Sequence, residues 1–279
     1  MCAAKPVKPA KGRGGKKLAA RRPKPVPSVG GQDATRDTAP KQGWLRRWAK
    51  RGALAIVACL VLSVAWVLLY RFVNPPFTLL MVQRYLSAEP ENARIKKAWV
   101  ALEEMAPEMV LAVLASEDQR YFSHGGVDVK EIQKAYTESQ EGERLRGAST
   151  ITQQTAKNVF LWNSRSWVRK GLEVYFTGLI EVLWGKERIL EVYLNVLETG
   201  HGLYGVEAAG QEFFQRPAAK LSASQCALIA AVLPNPLDRS PAAPSAYVRE
   251  RQQWILGQMR NLGGRKFLEE NGLFVPARE

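Results

Sequence analysis

The sequence predicts a predominantly α-helical domain carried behind one membrane-spanning helix. Three observations predict it. An uncharged apolar run lies near the N-terminus, and apolar positions recur at helical spacing after it, punctuated by cap and stop signals. Alternating strand patterns and internal repeats are not found. At 279 residues the chain has room for one sizeable domain plus accessory segments.

Charge is distributed unevenly. The formal net charge is +14, yet residues 1–51 hold fifteen Lys and Arg against Asp33 and Asp37, a local charge of +13. From Phe72 to Glu279 basic and acidic residues balance at 24 each. A stripe for phosphate backbones would have to lie in the tail, so no nucleic-acid partner is expected. Residues 1–43 contain Lys5-Pro6-Val7-Lys8-Pro9 and Arg22-Pro23-Lys24-Pro25. They carry too little apolar surface to offset the entropy of ordering and are expected to form a disordered basic cytoplasmic tail. Residues 44–51 are a basic juxtamembrane segment.

Gly52 to Tyr70 reads GALAIVACLVLSVAWVLLY, nineteen residues without a charge. As a helix it spans roughly 28 Å, close to a hydrocarbon core of about 30 Å. Trp44, Trp48 and Tyr70 fit the interfaces. The expected anchor covers residues 52–71. Arg46, Arg47, Lys50 and Arg51 precede it, so the positive-inside rule places the N-terminus in the cytoplasm and residues 75–279 outside. The run is long for a cleavable signal peptide, and Cys59 lies too deep within it for a lipoprotein cleavage box. Of Cys2, Cys59 and Cys226, only the last falls in the exported part, so no disulfide framework is expected. No cysteine or histidine spacing suggests a metal site.

Asn74-Pro75-Pro76 ends the anchor. Residues 91–104 read as an amphipathic helix. Pro107 suits the first turn of the next one, which carries Val110, Leu111, Val113 and Leu114 toward Glu117. Ser149 is a candidate cap for a helix over 150–160, and Ser166 for one over 167–184. Lys186–Val196 is helical and runs into the glycine-rich segment 200–205. Ser222 and Gln225 form a capping box before Cys226–Leu233. Residues 246–261 read as the last helix, stopped by Gly263-Gly264.

Four segments carry chemistry. In Ser116-Glu117-Asp118-Gln119-Arg120-Tyr121-Phe122-Ser123-His124-Gly125-Gly126, an apolar helix delivers paired carboxylates to its end. A carboxylate against apolar walls keeps a raised pKa and can accept a proton near neutrality. In Arg146-Gly147-Ala148-Ser149-Thr150-Ile151-Thr152-Gln153-Gln154-Thr155-Ala156-Lys157-Asn158, Thr150, Gln154 and Lys157 share one helix face, suited to a sugar beside a phosphate. In Arg169-Lys170-Gly171-Leu172-Glu173 both cations face Glu173. In Lys186-Glu187-Arg188-Ile189-Leu190-Glu191-Val192-Tyr193-Leu194-Asn195, Ile189, Tyr193, Leu190 and Leu194 fit a core stripe, with Glu191 and Asn195 bracing the site. Alone, each segment reads as an exposed or structural helix face.

Together, in this order, they resemble the glycosyltransferase family 51 domain of peptidoglycan synthases over about residues 75–240. RGASTITQQTAKNVFLW and AAVLPNP look most like its monofunctional members. Tyr121 stands where the first motif has Phe. The resemblance implies a lysozyme-like fold and a reaction on lipid II: the acceptor GlcNAc 4-hydroxyl attacks C1 of the donor MurNAc and undecaprenyl pyrophosphate leaves. It implies Glu117 as general base and Glu173 as the second functional carboxylate. Lys157, Arg169 and Lys170 would stabilise the departing pyrophosphate. Asp118, Arg120, Tyr121 and His124 are further substrate-binding candidates, with Thr150, Gln154 and Asn158 from the second motif. No cofactor is required; Mg or Mn is an optional assistant without a dedicated cage. No serine has lysine three residues later, so no penicillin-binding transpeptidase is expected. The expected partners are lipid II, the growing glycan strand, membrane lipid and other cell-wall synthesis or division proteins, at the bacterial inner membrane. The competing readings are a lytic enzyme that cuts glycan and a non-catalytic cell-wall scaffold. The full second motif and the Arg169-Lys170 pair favour a phosphate-bearing donor over cleavage.

Overall fold

A computed structural model describes residues 42–140, 149–164 and 166–275. Residues 1–41 of the expected tail and Arg146-Gly147-Ala148 of the second motif lie outside the described residues. The chain divides into two compact units, Met1–Lys50 and Arg51–Glu279. In the first, residues 42–50 are helical.

Eleven α-helices are present among the described residues, so the fold is predominantly α as predicted. α1 is Gln42–Phe72; its stretch Trp44–Phe72 has mean hydropathy 2.7 and is long and apolar enough to cross a bilayer. α2 (Leu79–Ser87) is capped by Thr78. α3 (Pro107–Glu117) opens on its proline and is buried from Met109 to Ala115. A helix apolar all round belongs in a core, and α3 packs against α9 (Ala223–Val232), α10 (Ala246–Asn261) and α11 (Arg265–Glu270). A second group sets α5 (Ile151–Phe160) against α2, α6 (Trp167–Leu183) and α7 (Lys186–Val196). α4 (Val129–Gln140) and α8 (Val206–Phe214) complete the set.

Capping follows local chemistry. Ser166 accepts from the Arg169 amide, and Ser222 with Gln225 forms the expected box. The cap of α5 is Thr150 rather than Ser149. Thr150 has a glutamine three residues on, and the Thr150–Gln153 pair closes both halves of a capping box. Residues 91–104 are not a helix. They form short 3-10 turns at Pro90–Asn92 and Leu102–Glu104 and a strand β1 at Lys96–Lys97. Tertiary partners explain the difference: Lys96 N–H donates to Gly202 O, and the Asn195 side chain takes both N–H and C=O of Val100. β1 pairs parallel with β3 (Leu203–Tyr204), which pairs antiparallel with β2 (Glu198–Gly200). Strands this short show no alternation in sequence. Gly205 follows β3 with φ +83°, and a Cβ there would lie 2.8 Å from Asn195 O, so a side chain is doubly opposed. α10 is not the last helix, because α11 follows its glycine stop.

Within the second unit the end of α1 is fastened to the helices of the site. Trp184 Nε1 donates to Val67 O (2.8 Å), and Arg188 donates to Tyr70 O (2.9 Å) and Val73 O (3.2 Å). Ser63 and Tyr175 hydroxyls bond at 2.7 Å. Phe160 sits between them all, stacked on Phe176 at 4.8 Å and edge-on to Trp66 at 5.2 Å. Val159, Phe160 and Leu161 are core, whereas Trp162 is 42% exposed. Phe160→Ala is expected to destabilise the detergent-solubilised full chain by about 3–5 kcal/mol, read from chemical denaturation. A loss below about 1 kcal/mol would mean the cluster collapses around the gap.

Candidate active site

α3 ends at Glu117 because the chain turns there. Asp118, its C-cap, leaves helical geometry and returns its amide to Leu114 O. The Asp118 carboxylate is buried. It accepts from His124 Nε2 (2.9 Å) and from the amide of Ile151, the first residue of α5 (3.1 Å). An anion at a helix N-terminus is favoured by the free amides and the dipole. The first motif is thus tied to the start of the second. Thr150 adds a second tie, donating to Gly126 O at 2.5 Å. Gly126 has φ +84°, and a Cβ there would stand 2.7 Å from Glu181 Cγ, which accounts for glycine.

These ties set Glu117 against α5. Gln154 Nε2 donates to Glu117 Oε2 at 2.8 Å, while Glu117 Oε1 is buried without a partner among the described residues. Burial pushes the Glu117 carboxyl up; the Gln154 hydrogen bond and the charges of Arg251 and Lys157 pull it part of the way back. The buried Tyr193 hydroxyl donates to Gln154 Oε1 (3.0 Å), which orients the amide so that its NH₂ faces Glu117. Burial drives the Tyr193 phenol well above its ordinary range, so it stays a donor. Its part could not be read from spacing, which showed only a core stripe. The available signal was that a buried tyrosine needs a partner for its hydroxyl.

Glu173 is differently placed. It is buried on α6, and both its oxygens are engaged: Arg169 Nη1 donates at 2.6 Å and Lys170 Nζ at 2.5 Å. Lys157 is electrostatically coupled to both carboxylates. It opens onto cleft water on one side, but surrounding protein lowers its pKa; Glu173 and Glu117 oppose that shift. Gln154, Lys157, Asn158 and Tyr193 border a cavity of about 200 Å³. Arg84 and Glu198, which sequence reasoning passed over, border it too.

The structure therefore brings together Glu117, Gln154, Lys157, Arg169, Lys170 and Glu173, with Asn158 at the cavity. The other candidates hold the frame. Tyr121 is fully buried and donates to Lys186 O, and Thr150 is the cap of α5. Arg120 bonds Asp128 (3.1 Å). Asp118, His124 and Asp128 place three potential metal-ligand atoms within 4.8 Å of one another. The carboxylates accept from His124 Nε2, Arg120 and the amides of Ile151 and Glu131, so a metal held there would replace bonds that tie the first motif to the second.

The family model described as Transglycosylase matches residues 84–260. The chain is 54% identical over 230 residues to a biosynthetic peptidoglycan transglycosylase of Yersinia pseudotuberculosis serotype O:1b, covering 81% of this chain and 94% of that relative. It is 53% identical over 230 residues to the protein of the same description in Yersinia pestis strain Pestoides F, with the same coverage.

With Glu117 expected to act as a base, which requires its ionised form, kcat/KM should fall as pH drops through its raised pKa. Removing the Gln154 hydrogen bond raises that pKa further. Gln154→Leu should move the acid limb of the pH–rate profile to higher pH; an unmoved limb would detach it from Glu117.

Proposed function

From a chain that belongs to the Transglycosylase family, we propose an enzyme that polymerises lipid II into glycan strands, releases undecaprenyl pyrophosphate and does not cross-link its product. The observation that carries the mechanism is the contrast between the two buried carboxylates. Glu117 has a free oxygen and a raised pKa, the properties of a base that takes a proton from a sugar hydroxyl. Glu173 has both oxygens engaged by two cations, which suits it to organise them. It holds Arg169 and Lys170 where, with Lys157, they meet the negative charge that grows on the departing diphosphate. The acceptor hydroxyl would lie within reach of Glu117 Oε1, and its oxygen would attack C1 as the proton moves to the carboxylate. No resident metal is assigned, and Mg or Mn is given no protein ligands.

Membrane lipid is a further proposed partner. α2 and Trp162 line an apolar groove of about 490 Å³ through Leu79, Val82 and Leu86, and Trp162 also borders the polar cavity. A lipid-linked sugar has the same two-part chemistry. The proposed setting is the bacterial inner membrane, with the N-terminus cytoplasmic, the domain periplasmic, and other cell-wall synthesis or division proteins nearby. The basic flank Arg46, Arg47, Lys50 and Arg51 supports that orientation.

The test is polymerisation of labelled lipid II by wild type and Glu117→Gln. We expect polymer from wild type and a loss of about 10²–10⁴-fold in the variant, with membrane insertion and thermal unfolding unchanged. Cleavage of finished glycan without polymerisation would instead support a lytic enzyme, and full activity of Glu117→Gln would remove it as the base.

A further inference from the structure

Two charged residues of the cavity have no part in the mechanism above. Arg84 on α2 and Glu198 on β2 both line it, beside Gln154, Lys157 and Tyr193. Arg84 Nη2 donates to Glu198 Oε2 at 2.9 Å; the Arg84 side chain is 34% exposed and that of Glu198 10%. Among the described residues this is the guanidinium's single hydrogen bond, out of five N–H donors. An arginine that serves only to join two elements to a carboxylate commonly uses the two-bond fork. Here Nη2 is held, Nε is buried without a partner among the described residues, and the residue lines the cavity.

The pair repeats the logic of the Glu173 group. There a buried carboxylate holds two cations; here a largely buried carboxylate holds one. Lys157 is coupled electrostatically to both carboxylates. Burial raises the Glu198 carboxyl, and Arg84, His201 and Lys157 oppose that rise. A pair needed only to brace α2 against β2 would incur the desolvation of two charges for a task apolar residues perform as well. A cleft that must receive two adjacent phosphates has a use for the second cationic group.

We propose that Arg84 is a further anion-binding residue of this cleft, taking a phosphate oxygen of the donor's diphosphate, and that Glu198 is the positioning residue that keeps its guanidinium at the cavity before the donor arrives. This rests on the reading above that the donor carries a diphosphate. When the donor binds, the unused donors of Arg84 meet the phosphate while Nη2 stays on Glu198.

The experiment compares full-length wild type, Arg84→Gln, Arg84→Lys, Glu198→Gln and Glu198→Ala in detergent, with lipid II as substrate and inorganic diphosphate as competitor. Arg84→Gln can keep a hydrogen bond to Glu198 while losing the charge. It should raise KM and the diphosphate inhibition constant by about tenfold or more, the worth of a hydrogen bond to a charged group, and change kcat by less than about threefold. Arg84→Lys should recover part of the loss. Glu198→Gln, whose amide oxygen can still accept from Arg84 Nη2 while the competing anion is gone, should not raise the inhibition constant, whereas Glu198→Ala, which frees the guanidinium, should raise it. An inhibition constant that Arg84→Gln leaves unchanged overturns the proposal. So does an equal rise in Glu198→Gln and Arg84→Gln, which is the signature of a brace. Wild type that fails to polymerise lipid II overturns the reading of function. Wild type that polymerises beside an indifferent Arg84→Gln overturns this inference alone.

Discussion

The buried carboxylate of Asp118 is the interaction on which the site depends. It accepts from His124 and from the first amide of α5, while the residue's own backbone amide closes the C-terminus of α3. Each contact satisfies a group that burial would otherwise penalise, and none could be made by an apolar side chain. The result is a fixed relation between the end of one core helix and the start of another. Glu117, one residue before, is thereby set opposite Gln154, and Gln154 is set by Tyr193. Glu117 Oε1 is left without a partner among the described residues.

The two acidic residues of the site illustrate how environment assigns roles. Both are glutamates and both are buried, yet one keeps a single neutral donor and the other two cations. Two cations meet the Glu173 oxygens, whereas desolvation penalises the ionised form of Glu117. The cations around Glu173 also remain close enough to influence Lys157, so the positive charge of the cleft is organised before any substrate enters.

Much of this was legible in the sequence, for identifiable reasons. The helices α6, α7 and α10 carry periodic apolar residues, α6 has the Ser166 cap and α10 the glycine stop, and their bounds agree with the expected ones to within a residue. The motifs place Glu117, Lys157 and Glu173 on helix ends or faces, and the structure sets them near one another. The misread segments depend on partners far away in sequence. Residues 91–104 gain their backbone hydrogen bonds from Asn195 and Gly202, which no local pattern announces. Tyr121 and Thr150 looked like substrate contacts because polar residues in a motif are read as pointing outward, and their bonds to Lys186 O and Gly126 O became visible only in three dimensions. Tyr193, Arg84 and Glu198 were passed over for the same reason: their role lies in which side chain each one meets.

The clamp of Trp184 and Arg188 on the backbone of α1 has a mechanical meaning. Carbonyls within a continuous helix do not swing independently, so hydrogen bonds to Val67 and Tyr70, with one to Val73 just past the helix end, hold the domain at a set angle to the helix rather than on a swivel. If that helix stands in a bilayer, the cleft keeps a constant altitude above it.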